Sequence, residues 1–144
     1  MPKSMSMYQT RLAELVQRDP RYTYEAYEFV FAALSHTQRL LGRVPSEDEA
    51  AAPGPQYHVS GRELVEGIRD LALREFGGMA RVVLRMWGIN QTADFGEIVF
   101  NLVEAGLMSK TDQDTREDFR DIYDLEKAFV QDFRIQLDEV EWMR

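Results

Sequence analysis

The sequence predicts an all-α fold, a single-domain bundle of about six helices spanning residues 1–144. Three observations predict it. Apolar residues recur at helical spacing, most regularly as Phe95, Ile98, Val99, Leu102 and Val103. Small polar residues and glycines stand where helices begin and end, as at Ser60, Thr92, Gly42 and Gly106. The chain has 144 residues, 44% of them hydrophobic and 29% charged, which suits one core that folds without staples.

In order along the chain, Tyr8, Leu12, Leu15 and Val16 share a face of a helix over 8–18, ending before Asp19-Pro20 because proline disfavours helical geometry in the preceding residue. Thr23 caps the next helix, with Glu25 in its first turn. Tyr24, Tyr27, Phe31 and Leu34 form one stripe, and Phe29, Ala32, Ala33 and Leu40 another, with His36 on the second. So apolar a circumference makes this helix central to the core, and Gly42 stops it. His36 reads as a half-buried histidine bonded to a neighbour. Residues 43–57, RVPSEDEAAAPGPQY, form a surface loop. His58, just before the next cap, reads as a turn residue.

Ser60 and Glu63 have capping-box spacing, and Val59 and Leu64 that of a hydrophobic staple. Leu64, Val65, Ile68, Leu71, Ala72 and Phe76 form the buried side of this helix. Gly77-Gly78 breaks it. The following MARVVLRMW buries Met79, Val82, Val83 and Met86 at core spacing, and Gly88 ends it. Thr92 caps the third central helix and Gly106 closes it, with Leu107 as the accompanying hydrophobic contact. Beyond Lys110, Thr115 caps a helix with a break near Asp124. The alternative over 107–123 is a short β-hairpin wing. Residues 1–6 and 139–144 are expected to be loose.

Composition narrows the functions. Cysteine is absent, which excludes disulfides, thiolate metal sites and cysteine nucleophiles. The N-terminal MPKSMSMYQTRLAEL lacks the apolar run of a signal peptide. No window holds the roughly 20 apolar residues of a membrane span. A cytoplasmic protein is expected. The net charge of -8 is uneven: residues 1–93 hold 11 acidic and 11 basic side chains, whereas residues 94–144 hold 14 acidic and 6 basic. An acidic C-terminal third repels phosphate backbones and anionic membrane surfaces.

No motif for chemistry stands up. Asp112-Gln113-Asp114 opens like a calcium loop. With Asp112 as the first position, however, Arg116, Glu117 and Tyr123 fall where the loop needs an oxygen ligand, glycine and glutamate. Asp118, Asp121 and Asp124 share helical spacing, but no Glu-x-x-His pair accompanies them, and Arg116 and Arg120 are near enough to neutralise them. No phosphate loop, dinucleotide fingerprint or nucleophile elbow is present. No cofactor, metal or catalytic residue is expected.

Residues 79–105 resemble a helix-turn-helix, with GINQT as the turn and a Gly-Leu close like that of winged-helix regulators. The presumed recognition helix shows Asp94, Glu97, Asn101 and Glu104 outward, with no Arg or Lys for phosphate or guanine. Only Arg81 and Arg85, on the preceding helix, are placed for phosphate. Such a face suits a protein partner better than DNA.

The runs YEAYEFVFAAL, HVSGRELVEGIRDLALREFG, RVVLRMWGI, DFGEIVFNLVEAGLMSKT and EDFRDIYDLEKAF resemble an uncharacterised conserved hypothetical protein family of planctomycete and verrucomicrobial bacteria. The resemblance covers nearly the whole domain. It implies a bacterial, single-domain protein and brings over no catalytic residue.

The expectation is therefore a non-enzymatic protein-interaction module, with Asp94, Glu97, Asn101, Glu104, Asp118 and Asp121 facing a basic protein partner. The alternative is a winged-helix-like DNA-binding regulator using Arg81 and Arg85. A third reading, an enzyme with a dispersed site, requires a pocket that gathers His36 or His58 with convergent acids. Self-association through Trp142 and Met143 stays open.

Overall fold

The computed structural model describes residues 6–44, 58–108 and 116–131. The fold is mostly helical, with no strand among the described residues. Five α-helices follow in order: α1 (Met7–Arg18), α2 (Tyr24–Leu40), α3 (Gly61–Phe76), α4 (Ala80–Met86) and α5 (Thr92–Glu104). A 3-10 turn over Gly77–Met79 joins α3 to α4. A second covers Arg116–Phe119, and a single π turn covers Lys127–Gln131.

The helix ends follow their local chemistry. Ser6 and Gln9 form a reciprocal capping box at α1, and Ser60 and Glu63 another at α3. Thr23 Oγ1 accepts from the Ala26 amide at the start of α2. Gly42, at φ +69°, ends α2: its amide donates to Arg39, and that of Arg43 reaches back to Gln38. Gly106, at φ +75°, ends α5 in the same way, with the Leu107 amide on Leu102.

The closest helix pair is α2 with α3, which run antiparallel. Their register descends from Arg43 with Glu63, through Thr37 with Gly67 and His36 with Asp70, to Phe29 with Phe76. Phe29, Phe76 and Trp87 close the far end as a cluster with ring centroids 5.4–5.6 Å apart. The Tyr8 ring meets Phe31 edge-on at 5.2 Å, fixing α1 on α2. Phe95, Ile98 and Leu102 of α5 are buried in the same core as Leu12, Leu15, Tyr27, Val65 and Ile68.

Phe119 locks the late part of the chain onto this core. A β-carbon on Gly61 of α3 or on Gly96 of α5 would stand 2.8–2.9 Å from its atoms, so the ring lies against two helices at points where each lacks a side chain. Ile122 donates its amide to Thr92 Oγ1, and the Tyr123 hydroxyl donates to the Val65 carbonyl.

Several expectations need correction. No wing is found where it would return: Phe119 is in a 3-10 turn, and the Ile122 amide is spent on a side chain rather than on a strand. The helix expected there is broken too, by Asp121 at φ +52°, before a short helical stretch resumes at Leu125. Thr92 is not a cap. It is buried as the first helical residue, because the Asp94 carboxylate takes the amides of Asn90 and Gln91 and moves the cap back to Gln91. In α4, Met79, Val82 and Met86 are 58%, 42% and 72% exposed, and Ala80 and Leu84 are buried instead. Positions 80, 84 and 87 have the same helical spacing as 79, 83 and 86. Packing on α3 chose the stripe with the small Ala80. Leu40 is 52% exposed, and Thr37 takes the buried position facing α3. The loop over 45–57, the Thr115 cap and the terminal stretches 1–5 and 132–144 lie outside the described residues.

The contact between α2 and α3 gives a direct test. A β-carbon at Gly67 would meet Thr37 Oγ1 at 1.8 Å, while that hydroxyl is held by its bond to the Ala33 carbonyl. Gly67→Ala is expected to cost about 1–3 kcal/mol in urea denaturation. Adding Thr37→Ala to the same chain should restore part of the loss, a coupling that a double-mutant cycle reads directly.

Candidate functional site

Three places contain the residues singled out by the sequence: the outer side of α5, the arginines of α4 and the seam between α2 and α3.

On α5 most of the expected partner-facing groups are engaged inside the fold. Asp94 accepts from the Tyr22 hydroxyl at 2.6 Å and from the amides of Asn90 and Gln91. Burial pushes the Tyr22 phenol up, and Asp94 pushes it further, so the phenol stays protonated as a donor. Asn101 Nδ2 donates to Asp19 Oδ2 at 2.8 Å and to the Tyr27 hydroxyl at 3.0 Å. Glu97 lies 3.7 Å from both Arg21 and Arg116. Asp19 also receives the Arg21 guanidinium, with bonds of 2.9 and 2.7 Å. That guanidinium, helped by the Asn101 amide, holds the Asp19 carboxyl well below the usual carboxylate range. Only Glu104 of the four expected α5 residues is exposed.

Asp118 is half-buried and Asp121 is exposed. The three aspartates at 118, 121 and 124 do not share a helix face, because the positive φ of Asp121 turns the chain between them. Asp124 accepts from the Lys127 amide as a cap. Among the described residues, no group of His, Asp and Glu is placed to hold a metal ion.

The α4 arginines converge on one acid. Arg81 Nε is 3.4 Å and Arg85 NH2 4.0 Å from Glu126 Oε2. The Arg81 side chain is only 12% exposed, and NH1 donates to the Ile89 carbonyl. The ion pair is off-line, so its buried Nε makes no hydrogen bond. A guanidinium this covered, with a carboxylate over it, is poorly placed to grip a phosphate.

The third place emerged only from the structure. A cavity of about 680 Å³ opens between the second half of α2 and the first half of α3. Thr37, Leu40 and Leu41 line one side, and Ser60, Arg62, Glu63, Glu66, Gly67 and Asp70 the other. Glu63 is bonded by Arg43 at 2.7 Å and by the Ser60 amide, which together hold its carboxyl below the ordinary value despite burial. Asp70 Oδ2 receives His36 Nε2 and Arg74 Nε, each at 2.7 Å. Burial pushes the Asp70 carboxyl up, and these two bonds more than offset it. With Asp70 ionised, the imidazole nitrogen is the donor.

His36 thus has its partner on a different helix, which its own helix gave no means of finding. It stands behind Asp70 rather than in the cavity lining. A carboxyl held below its ordinary value is a weak base near neutrality, so the pair serves better as a brace between helices than as acid–base machinery. His58 contributes its backbone carbonyl to Arg43 at 3.1 Å. Gly67 was the available signal for the cavity: glycine inside a helix is unfavourable and marks a close approach by something else.

No protein-family model, curated protein or solved structure matches this chain.

The depressed carboxyls set the acid limb of stability. Asp19, Glu63 and Asp70 have folded-state values below those of the unfolded chain, so their stabilisation is present above about pH 4 and lost as pH falls through the folded values. Urea midpoints measured from about pH 6 to about pH 2 should therefore fall on acidification, and less steeply in Asp19→Asn. An equal slope in the variant would show that Asp19 does not carry the linkage.

Proposed function

We propose that this protein is a non-enzymatic interaction module that recognises another, basic protein. The observation that carries the reading is the concentration of negative charge in the last third of the chain, where 14 acidic residues face 6 basic ones. Glu104 and Asp121 are exposed there and make no ion pair, which leaves their charge available to steer a partner. Asp94, Glu97 and Asn101 serve the fold, so the recognising surface is narrower than the sequence alone suggests.

The strongly shifted carboxyls support the same reading. Each one answers to a structural partner rather than to an open site. No helix among the described residues is long and apolar enough to cross a membrane. A cytoplasmic bacterial setting, consistent with the family resemblance, completes the proposal. Duplex DNA has no place in it, because Arg81 and Arg85 lie against Glu126.

Affinity capture with the full chain from source cells at low salt is expected to recover a reproducible basic partner, released as salt rises. Glu104→Lys/Asp121→Lys should weaken that capture about tenfold while leaving the melting temperature in place. Failure to recover any partner at low salt overturns the reading. A duplex-DNA mobility shift that disappears in Arg81→Ala/Arg85→Ala would replace it with the regulator.

A further inference from the structure

We infer that the cavity between α2 and α3 is the seat for an apolar side chain of a partner segment, flanked on that segment by lysine or arginine. The inference rests on the interaction reading above and assigns the anchoring point that the acidic C-terminal third does not supply.

The cavity has the build of a recognition pocket. Its volume of about 680 Å³ falls in the range of small-ligand sites, and it is preformed rather than pried open. The Arg43–Glu63 bond braces one end and the His36–Asp70 bond the other, with Thr37 against Gly67 setting the spacing between them. An occupant therefore does not have to order the walls, and more of its contact energy appears as affinity. Leu40 and Leu41 stand at this cavity as exposed large hydrophobics, surface that a covering side chain would remove from water.

Charge selects the flank. Glu63, Glu66 and Asp70 recur along one face of α3 and all line the cavity, against a single lining guanidinium, Arg62. Glu63 and Asp70 are already bonded by Arg43, His36 and Arg74. Glu66 is exposed and makes no ion pair, so it is the carboxylate left to receive a cation from outside. An apolar anchor beside a basic residue matches this wall, and an acidic flank would meet two or more carboxylates.

The test is a titration of the isotope-labelled full chain with a synthetic peptide of about nine residues, followed by amide chemical shifts. The peptide carries two leucines one helical turn apart, flanked by lysines. Matched peptides with serine for leucine or glutamate for lysine serve as controls. The lysine–leucine peptide should shift the amides of Thr37, Leu40, Leu41, Glu66 and Gly67 saturably. Glu66→Lys and Leu40→Ser/Leu41→Ser should each weaken binding about tenfold at unchanged melting temperature. Shifts confined to residues 94–131 overturn the seat and leave the interaction reading standing. So does the absence of any saturable shift in a chain that still captures a basic partner, whereas failure of both experiments removes both readings. A response that appears only after residues 45–57 are replaced by a glycine–serine linker of equal length shows that this segment occupies the cavity, and it too overturns the seat.

Discussion

The approach of α2 to α3 is limited by one contact, the Thr37 hydroxyl against the bare backbone of Gly67. Close packing at that point brings neighbouring side chains into bonding range on both sides of it. His36 reaches Asp70, and Arg43 reaches Glu63 and the His58 carbonyl. Farther along, Phe29 meets Phe76 and Trp87. A larger residue at 67 would open the seam, lengthen charge-assisted bonds that weaken steeply with distance, and separate rings now in contact. The same contact forms the floor of the cavity, so stability and the shape of the proposed seat have a common origin.

A second layer is polar. The chain between α1 and α2 presents Asp19, Arg21 and Tyr22 to α5, and α5 answers with Asn101, Glu97 and Asp94. These groups are part-buried, and leaving one unpaired costs more than a typical bond gains. The acids and amide on α5 are thereby committed to orienting the helix. What the sequence offers as a recognition surface is in large part the mortar of the fold, and the apolar face of the same helix is covered by Phe119 and its neighbours.

Much of the architecture was legible in the residues. The Ser60–Glu63 box, the Thr23 cap and the glycine closes at 42 and 106 act through near neighbours, so local sequence contains all the information they need. Failures came where a distant contact decided. The seven-residue α4 has two apolar stripes of equal spacing, and only its packing partner selects between them. Thr92 looks like a cap until Asp94 reaches two amides ahead of it. Phe119 fits a strand, a helix or a turn, and its place follows from glycines 58 and 23 residues before it. The cavity was invisible for the same reason: its walls come from two helices separated by a long loop, and its one local clue, Gly67, speaks of closeness without saying to what.

The polar layer also bears on how the chain comes into being. Asp19, Tyr22 and Tyr27 find their partners 82, 72 and 74 residues downstream. A ribosome delivers the N-terminal part first. While α5 is still untranslated, the segment joining α1 to α2 carries a carboxylate and two phenols whose eventual partners do not yet exist. The α2–α3 hairpin can close earlier, since its contacts lie within residues 29–76. The order of synthesis thus favours the seam first and the α5 clasp last, so a nascent chain stalled before Asn101 would have its scaffold without its fastening.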